Sequence, residues 1–369
     1  MHSKWHTTTL GETLPFSYGK NLPAKTRSHT GEFDVVTSAG VVDSHNEAYV
    51  HVPSIVIGRK GTIGSLTFCP NPVWPTDTTF FATETDACNL RFGYYLLHTL
   101  HLRELNNDSA VPGLNRSDAH ALEIHLPPLS EQVGIAKVLG ALDDKITANV
   151  RVLETANELV KNLYTAIPKS RNHAIESIGE LVKKNVKPEE MDESKALINL
   201  EHFDSKQVWI SRHAQVPEAT SAKSSFLVGD VLFGKLRPYF HKVGVAPIGG
   251  YCSTDVLVVR PREDSYRGLL LAAMSAEETV AIATQNSNGT RMPRAKWADI
   301  ASCAIPDPDD PKSIELGKLM DVLIPKCNAL IHENQVLART RDELLPLLMS
   351  GRITVGEAEN VAGTAASES

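Results

Sequence analysis

Basic, amide and hydroxyl side chains are grouped in loops of this sequence that are rich in glycine, proline and asparagine. Arginine and lysine can hydrogen-bond to guanine, asparagine can hydrogen-bond to adenine, and cations and hydroxyls contact phosphates. These loops therefore predict DNA binding, although each side chain by itself could be an ordinary surface charge. The candidates in the first half of the chain are Lys20, Lys25, Arg27, Arg59, Lys60, Asn115 and Arg116. Those in the second half are Lys235, Arg237, Tyr239, Asn288, Thr290, Arg291 and Arg294, and the best single loop is Asn286 to Arg294.

A glycine-rich stretch from Gly58 to Ser65 suggests either a phosphate-binding loop or a tight turn. In a phosphate-binding loop a lysine precedes the closing serine or threonine, and no lysine precedes Ser65. Two interpretations stay open. The stretch is a tight hairpin and nothing more, or it is a hairpin that projects Arg59 and Lys60 toward DNA.

Patterns that would indicate catalysis are incomplete. Asn71-Pro72-Val73-Trp74 differs at its third position from the Asn/Asp-Pro-Pro-Tyr/Phe tetrapeptide that holds a target adenine. The acidic residues between Pro306 and Lys312 resemble part of a nuclease motif, but they lie in a proline-broken loop. His98 and His101 could bind a metal as an i, i+3 pair on one helix, yet no third ligand is evident. The sequence therefore predicts neither a catalytic nor a metal site.

The composition is that of a cytosolic chain with two domains. Of 369 residues, 42% are hydrophobic and 22% are charged, and no apolar run is long enough to span a bilayer. The N-terminus has no apolar signal segment, and the five cysteines are scattered without a Cys-x-x-Cys pair. The net charge of −7 is unfavourable for contacts with phosphates, so DNA binding would depend on local basic patches.

Landmarks recur along the chain at nearly one offset. Gly58 precedes Gly234 by 176 residues, and Thr76-Asp77 precedes Thr254-Asp255 by 178. Each copy has short β-branched runs between turns and one helix, at about 90–106 and 265–286. The sequence therefore predicts two α+β modules, each with a compact and mostly antiparallel sheet. The Thr-Asp pairs are expected to cap a strand or turn.

Each module is followed by a proline boundary and a long helix. In the first helix Ser130 is the expected N-cap, and apolar residues follow a 4-3 spacing from Ile135 to Ile167, which is typical of coiled coils. The second helix aligns with the first at an offset of 185, with Arg341 on its seam; Pro325 is expected to kink it and Pro346 to break it. The residues predicted either to form the seam between the two helices or to dock a partner subunit are Leu142, Ile146, Asn149, Leu153, Ile331, Asn334 and Leu345.

Neither helix has an apolar face wide enough to be stable alone, so we expect the two to pack antiparallel about a pseudo-two-fold axis. A rod of about 30 residues is about 45 Å long, which would place the modules about one DNA turn apart. Asn149 and Asn334 align on the seam, where they either set the register or contact a partner subunit. The tail, residues 354–369, is expected to be disordered.

In combination, six motifs resemble the specificity subunits of type I restriction-modification systems. They are the segments 57–64, 76–80, 111–116, 127–132, 141–146 and 341–351. The resemblance covers nearly the whole chain. The second boundary, Pro306-Asp307-Pro308, departs from the pattern because it lacks the Glu-Gln pair found at residues 131 and 132.

The resemblance implies a non-catalytic subunit that binds double-stranded DNA and reads a bipartite target. Its target-recognition domains would be residues 1–128 and 169–307, and its spacer helices residues 129–168 and 308–353. It would dock two methyltransferase subunits, which carry S-adenosylmethionine and methylate adenine N6, and restriction subunits that use ATP and Mg²⁺. Two alternatives stay open: a coiled-coil adaptor with degenerate DNA-binding modules, and a stand-alone nuclease or methyltransferase.

Overall fold

A computed structural model describes residues 5–105, 113–216, 220–287 and 292–368. The chain divides into two compact units, which we call unit 1 (Met1–Ile146 with Val336–Ser369) and unit 2 (Thr147–Gln335). None of the helices within the described ranges is both long and apolar enough to cross a membrane.

Unit 1 alternates short strands with short helices before the first long helix begins. Its elements in chain order are β1 (His6–Thr9), α1 (Leu10–Thr13), β2 (Ser17–Tyr18), β3 (Phe33–Thr37), β4 (Gly40–His45), β5 (Ser54–Gly58), β6 (Leu66–Cys69), β7 (Val73–Pro75), β8 (Thr79–Thr83), α2 (Leu90–Thr99), α3 (Arg116–His120), β9 (Glu123–Leu126) and α4 (Leu129–Thr165). The last of these, α4, continues into unit 2.

Within the described residues of unit 1, the strands form two small sheets and a two-stranded ladder. One sheet is antiparallel in the order β2-β8-β5-β6, and the other has the order β4-β3-β7 with β3 and β7 parallel. Strands β1 and β9 form the ladder. Every residue of β5 is buried, which explains its continuous run of Ile55, Val56 and Ile57: a strand covered on both faces needs apolar side chains in both directions.

The second half of the chain has a similar order of elements, and its last helix and the C-terminal part of the helix before it belong to unit 1. The elements are β10 (Lys169–Ala174), α5 (Ile175–Ile178), β11 (Gly179–Leu181), β12 (Asn185–Val186), β13 (Ala196–Ile198), β14 (Ala214–Gln215), β15 (Lys223–Phe226), β16 (Val231–Gly234), β17 (Val243–Val245), β18 (Gly250–Cys252), β19 (Val256–Pro261), α6 (Arg267–Ser275), α7 (Glu277–Gln285), α8 (Trp297–Ala301), β20 (Ala304–Pro306), α9 (Pro311–Met349) and α10 (Val355–Glu368).

The sheets of unit 2 repeat the topology of unit 1. Strands β11-β19-β16-β17 correspond in order and direction to β2-β8-β5-β6. Strand β13 pairs antiparallel with β14 and parallel with β18, as β3 does with β4 and β7, and two further strands, β15 and β12, extend this sheet. The predicted repeat of an α+β module is confirmed.

One backbone hydrogen bond shows how closely the two copies correspond. The amide of Leu10, the first residue of α1, donates to the carbonyl of Leu122 at 2.9 Å. The amide of Ile175, the first residue of α5, donates to the carbonyl of Cys303 at 3.1 Å. Both leucine and isoleucine are fully buried, so the same bond and apolar anchor fix the start of each module.

The helices inside the modules are shorter than the sequence predicted. Helix α2 ends at Thr99, followed by a 3-10 turn at Leu102–Leu105, whereas the prediction extended it to 106. The predicted helix at 265–286 is two helices, because Ala276 adopts an extended conformation that separates α6 from α7.

Two long helices, α4 of 37 residues and α9 of 39 residues, run in opposite directions. Asp143 bonds to Arg341, and Asn149 bonds to Asn334. The residue number therefore rises by six along α4 while it falls by seven along α9, as in an antiparallel pair. The predicted break at Pro346 is wrong, since α9 continues to Met349; the helix also continues through Pro325, where the predicted kink stays a prediction. The packed residues beside Pro325 keep the helix intact despite the lost hydrogen bond, because Ile324 and Cys327 are both buried.

The predicted seam residues lie largely at the buried face of the helix pair. Leu142, Asn149 and Ile331 are buried, whereas Ile146, Leu153, Asn334 and Leu345 are half-buried. Two departures occur at the helix ends. Tyr164 is buried, whereas Leu163, which the 4-3 spacing places on the seam, is exposed. Leu344 is buried, whereas the predicted seam residue Leu345 is half-buried.

Polar residues on the seam are hydrogen-bonded to one another. The Asn149 amide donates to Asn334 Oδ1 at 2.9 Å and to Glu333 Oε2 at 2.6 Å. Arg341 donates to Asp143 Oδ1 at 2.6 Å, and Asp143 Oδ2 accepts from the Tyr95 hydroxyl at 2.5 Å. The predicted contact between the two asparagines is present, and their role in setting register stays a prediction.

The Glu-Gln pair at the start of α4 has a structural function. Gln132 is fully buried: its Oε1 accepts the Asn89 amide at 2.9 Å, and its Nε2 donates to the carbonyls of Ala87 and Pro127 at 2.9 and 3.0 Å. These bonds fix the first turn of α4 to the start of α2. The helix begins at Leu129, so Ser130 lies inside the first turn and is not the N-cap, as was predicted.

The predicted disorder of residues 354–369 is wrong for most of that segment, because α10 occupies Val355–Glu368. Thr354 and Glu357 form reciprocal capping bonds at its N-terminus. Ala358 is fully buried, and a Cβ added to Gly134 of α4 would lie 3.1 Å from Val355. Gly134 therefore lets α10 approach α4 closely, and Ala358 joins the hydrophobic core of unit 1.

We expect Gln132→Ala to lower the free energy of unfolding by roughly 2–4 kcal/mol, because it leaves several buried polar groups without partners. Denaturant titration followed by circular dichroism measures the change. Val133→Ala is the control, since Val133 is exposed on the same helical turn and should change stability by about 0.5 kcal/mol or less. Equal stabilities of the two variants would contradict the anchoring role of Gln132.

Candidate nucleic-acid interface

The loop between β5 and β6 is a hairpin turn held by its own backbone. Gly61 and Gly64 adopt left-handed conformations with φ of 80° and 70°, which favour glycine. The amides of Arg59 and Lys60 both donate to the carbonyl of Thr78, at 2.9 and 3.1 Å. The stretch from Gly58 to Ser65 is thus a hairpin, as both interpretations require, and the projection of Arg59 and Lys60 toward DNA stays a prediction.

This hairpin lies against the segment that precedes α3. The amide of Leu114 donates to the carbonyl of Arg59 at 2.9 Å, which brings Asn115 and Arg116 beside Arg59 and Lys60. The guanidinium groups of Arg59 and Arg116 lie 5.1 and 4.8 Å from the centre of the Tyr18 ring. Four candidates that are far apart in sequence therefore share one patch, which we call the unit 1 patch.

Tyr18 was missed by the sequence analysis, although it lies two residues before the candidate Lys20. Its ring is half-exposed and packs edge-to-face on the buried Phe80, with ring centres 5.0 Å apart. Both guanidinium groups lie near the Tyr18 ring, and that of Arg59 also lies 5.6 Å from the Phe80 ring centre, so cation–π contacts orient the two arginines. The signal available in the sequence was an aromatic residue next to a glycine and a lysine.

Three candidates of unit 1 make structural bonds with their side chains, and the first is Arg59, whose Nη1 donates to the Asp77 carbonyl at 3.3 Å. Asn115 is the N-cap of α3, where its Oδ1 accepts the Ser117 amide at 2.8 Å. Arg27 donates to the carbonyl of Leu22 at 3.3 Å and lies 3.6 Å from Asp43. Its side chain is only 15% exposed, so it stabilises its own loop.

Lys20 and Lys25 are both exposed but are placed differently. The ammonium of Lys20 lies 5.5 Å from the ring centres of both Tyr49 and Trp74, and its carbonyl accepts the Trp74 indole N–H at 2.9 Å. Lys25 lies in a 3-10 turn at Ala24–Thr26. Lys20 is thus oriented by aromatic rings.

Unit 2 builds its hairpin between β16 and β17 with the same type of bonds. The amide of Lys235 donates to the carbonyl of Asp255, and the amide of Ala295 donates to the carbonyl of Lys235, each at 2.9 Å. The second bond corresponds to the one between Leu114 and Arg59. Arg237 adopts a left-handed conformation, and its amide donates to the carbonyl of Pro293 at 2.8 Å.

The side chains of this second hairpin differ from those of the first. Arg294 is paired with the Asp255 carboxylate through bonds of 2.9 and 3.3 Å, so the Thr254-Asp255 pair neutralises a candidate cation. Arg237 and Tyr239 are exposed. The candidates Asn288, Thr290 and Arg291 lie outside the described residues, as does much of the loop from Asn286 to Arg294.

The residues considered for catalysis or metal binding have other contacts. His98 packs edge-to-face on Tyr94 at 4.7 Å, and His101 lies beyond the end of α2, so the two are not a pair on one helix as proposed. Asp310 accepts the Lys312 amide at the start of α9 at 2.8 Å, and Asp307 lies 3.6 Å from His173. Among the residues described, no three acidic, histidine or cysteine side chains are arranged to hold a metal ion.

The fold and the loops define a class of protein that has two α+β modules presenting hairpin loops and a pair of long helices. Comparison with known proteins agrees. Residues 2–157 match the family described as type I restriction modification DNA specificity domain. The chain is 22% identical to the type I restriction enzyme EcoDI specificity subunit of Escherichia coli, over 92% of this chain and 85% of that protein.

Two further proteins are similar. The type I restriction enzyme MjaIX specificity subunit of Methanocaldococcus jannaschii is 23% identical, over 82% of this chain and 78% of that protein. The crystal structure of the type I restriction-modification S subunit from M. genitalium shares the fold, with a TM-score of 0.64 at 15% identity over 94% of this chain and 96% of that one. These matches show that the chain is similar to type I restriction-modification specificity subunits, the family that its motifs resemble.

The unit 1 patch also perturbs a neighbouring histidine. His120 Nε2 accepts the Phe16 amide at 2.8 Å, which requires a neutral ring. Burial, and secondarily the Arg116 guanidinium one turn earlier on α3, lowers the pKa of His120 below its usual value of 6.5. Since the unfolded chain binds this proton more readily, the stability contributed by neutral His120 is complete above pH 6.5 and is lost as the pH falls below it.

We expect an NMR titration to give His120 a midpoint below 6.5 and to show a higher midpoint in Arg116→Gln, because that variant removes a nearby positive charge. Arg116→Lys keeps the charge and is the control, and His120→Gln assigns the resonance. A wild-type midpoint at or above 6.5 would show that the ring is not held neutral in the folded protein.

Proposed function

We propose that this chain is a type I restriction-modification specificity subunit that reads a two-part DNA sequence, with one half-site for each unit. The observation that supports this best is the hairpin loop that occurs in both units. The same backbone bonds hold each hairpin, whereas the side chains differ: Arg59 and Lys60 in one, Lys235 and Leu236 in the other. The same backbone structure with different loop side chains is suited to two domains that recognise different DNA sequences.

We also propose that the long helices dock two methyltransferase subunits and that restriction subunits join the complex. Val152, Leu159 and Leu163 are exposed on α4 and are spaced by seven and four residues, so they form one apolar stripe away from the seam. Exposed apolar residues in such a stripe favour a protein partner. In this proposal S-adenosylmethionine, ATP and Mg²⁺ are bound by the partner subunits.

The chain itself is proposed to be non-catalytic. The acidic residues near the start of α9 have capping and ion-pair roles there, which supports this view. The purified chain should neither cleave DNA with Mg²⁺ nor methylate it with S-adenosylmethionine. Either activity in the absence of partner subunits would favour the stand-alone enzyme instead.

Selection from a random pool of DNA duplexes tests the reading function. The purified chain is combined with its methyltransferase subunits, and the bound duplexes are sequenced. We expect two short constant segments separated by a gap of fixed length. Recovery of no common sequence, or of one uninterrupted sequence, would contradict the proposal.

The cations of the unit 1 patch should contact phosphates, so their removal should weaken specific and non-specific binding alike. For Lys60→Ala and for Arg116→Ala we expect the slope of log affinity against log salt concentration to become shallower by about 0.9, the value of one lost phosphate contact. Fluorescence anisotropy at several salt concentrations measures this slope.

Arg151→Ala is the matched control for these variants, because Arg151 is an exposed cation on α4 outside the patch. Its salt slope should equal that of the wild type. Unchanged slopes in both patch variants would show that the patch does not face the phosphates.

A further inference from the structure

The tips of the two equivalent hairpins differ in what they expose. In unit 1 the tip residue Ile63 is 7% exposed and belongs to the hydrophobic core. In unit 2 the tip carries Tyr239 and Phe240, which are 52% and 46% exposed. Two adjacent aromatic rings on the outside of a hairpin contribute nothing to the core, so their presence calls for a function.

The backbone beneath the two rings is held in one conformation. Arg237 and His241 flank the tip, and both have left-handed φ angles of 51°. The Phe240 amide donates to the Arg237 carbonyl at 3.0 Å, and the His241 amide donates to the Pro238 carbonyl at 2.8 Å. Left-handed conformations are unfavourable for such residues and persist where surrounding contacts enforce them.

Those contacts come from buried neighbours. Pro238 is buried, and the buried His241 ring donates through Nε2 to the Ser275 carbonyl at 2.8 Å. The two tip rings pack on each other with centres 4.8 Å apart. A tip that is already rigid loses little conformational freedom when it binds, so its aromatic surface is available for a tight contact.

Charge around the tip favours a nucleic acid as the binding partner. Lys235 and Arg237 lie on the same loop, and Arg237 is exposed. The acidic Asp255 beside the loop is already paired with Arg294 through two bonds. Aromatic rings flanked by cations match the two components of DNA, stackable bases and phosphates.

We infer that the Tyr239–Phe240 tip is a wedge that inserts at a base step of the half-site read by unit 2 and partly unstacks it. This inference rests on the proposed function. The first hairpin, with Ile63 buried and cations at its start, has no such wedge. Because pyrimidine–purine steps unstack most easily, the half-site of unit 2 should contain one at the wedge position.

The inference is tested with the full chain, in complex with its methyltransferase subunits, bound to the duplex recovered by selection. 2-Aminopurine, whose fluorescence rises when it is unstacked, replaces each purine of both half-sites in turn. We expect a rise on binding at one position in a single half-site. In the double variant Tyr239→Ala, Phe240→Ala we expect that rise to disappear and affinity to fall about ten-fold.

Two further variants make the result specific to the wedge. Leu227→Ala with Val228→Ala removes two exposed apolar residues at the turn before β16, at the opposite end of that strand, and should leave fluorescence and affinity unchanged. Phe240→Leu keeps an apolar wedge and should retain part of the rise. Thermal melting of each variant shows whether it folds like the wild type.

The outcomes separate this inference from the proposed function. If the wild type selects no sequence, the proposed function fails. If it selects a two-part sequence but the double variant binds with unchanged affinity and fluorescence, only the wedge is wrong. If the double variant instead loses its methyltransferase subunits while its DNA contacts persist, the tip is a protein contact and the wedge is again wrong.

Discussion

Neither module completes its hydrophobic core without the long helices. In unit 1, Ile135 and Leu139 of α4 lie in one cluster with Leu344 and Leu348 of α9 and with the strand residue Ile57. Unit 2 is built in the same way, with Val160 of α4 and Met320 and Ile324 of α9 in its main cluster. The helices are therefore part of both cores as well as connections, and each module folds around a segment of the same helix pair.

The two modules share the backbone hydrogen bonds that hold their hairpins, but their loop side chains differ. The shared bonds, such as those from Leu114 to Arg59 and from Ala295 to Lys235, join backbone atoms and do not depend on side-chain identity. The loop side chains differ between the two hairpins, since Arg59 and Lys60 in one correspond to Lys235 and Leu236 in the other. A protein that must read two sequences with one architecture needs this arrangement, because recognition can then change while the fold stays the same.

Much of this architecture could be predicted from the sequence, because turns and apolar spacing are local signals. Other features depend on long-range packing, which local signals do not reveal. For example, the buried residues around Pro325 decide whether α9 continues through it. Ion pairs such as Arg294 with Asp255 join residues 39 positions apart and leave no local signal. The helix at the C-terminus had a local signal that was missed, since Thr354 and Glu357 form a capping box ahead of small residues that suggested disorder.

The central claim is that each module reads its own half of the target. Replacing residues 1–128 with the corresponding module of another specificity subunit, followed by methylome sequencing of cells that express the complex, tests it directly. We predict a target in which one half-site is new, while the other half-site and the gap are unchanged. A target with both half-sites altered, or with neither altered, would contradict the account.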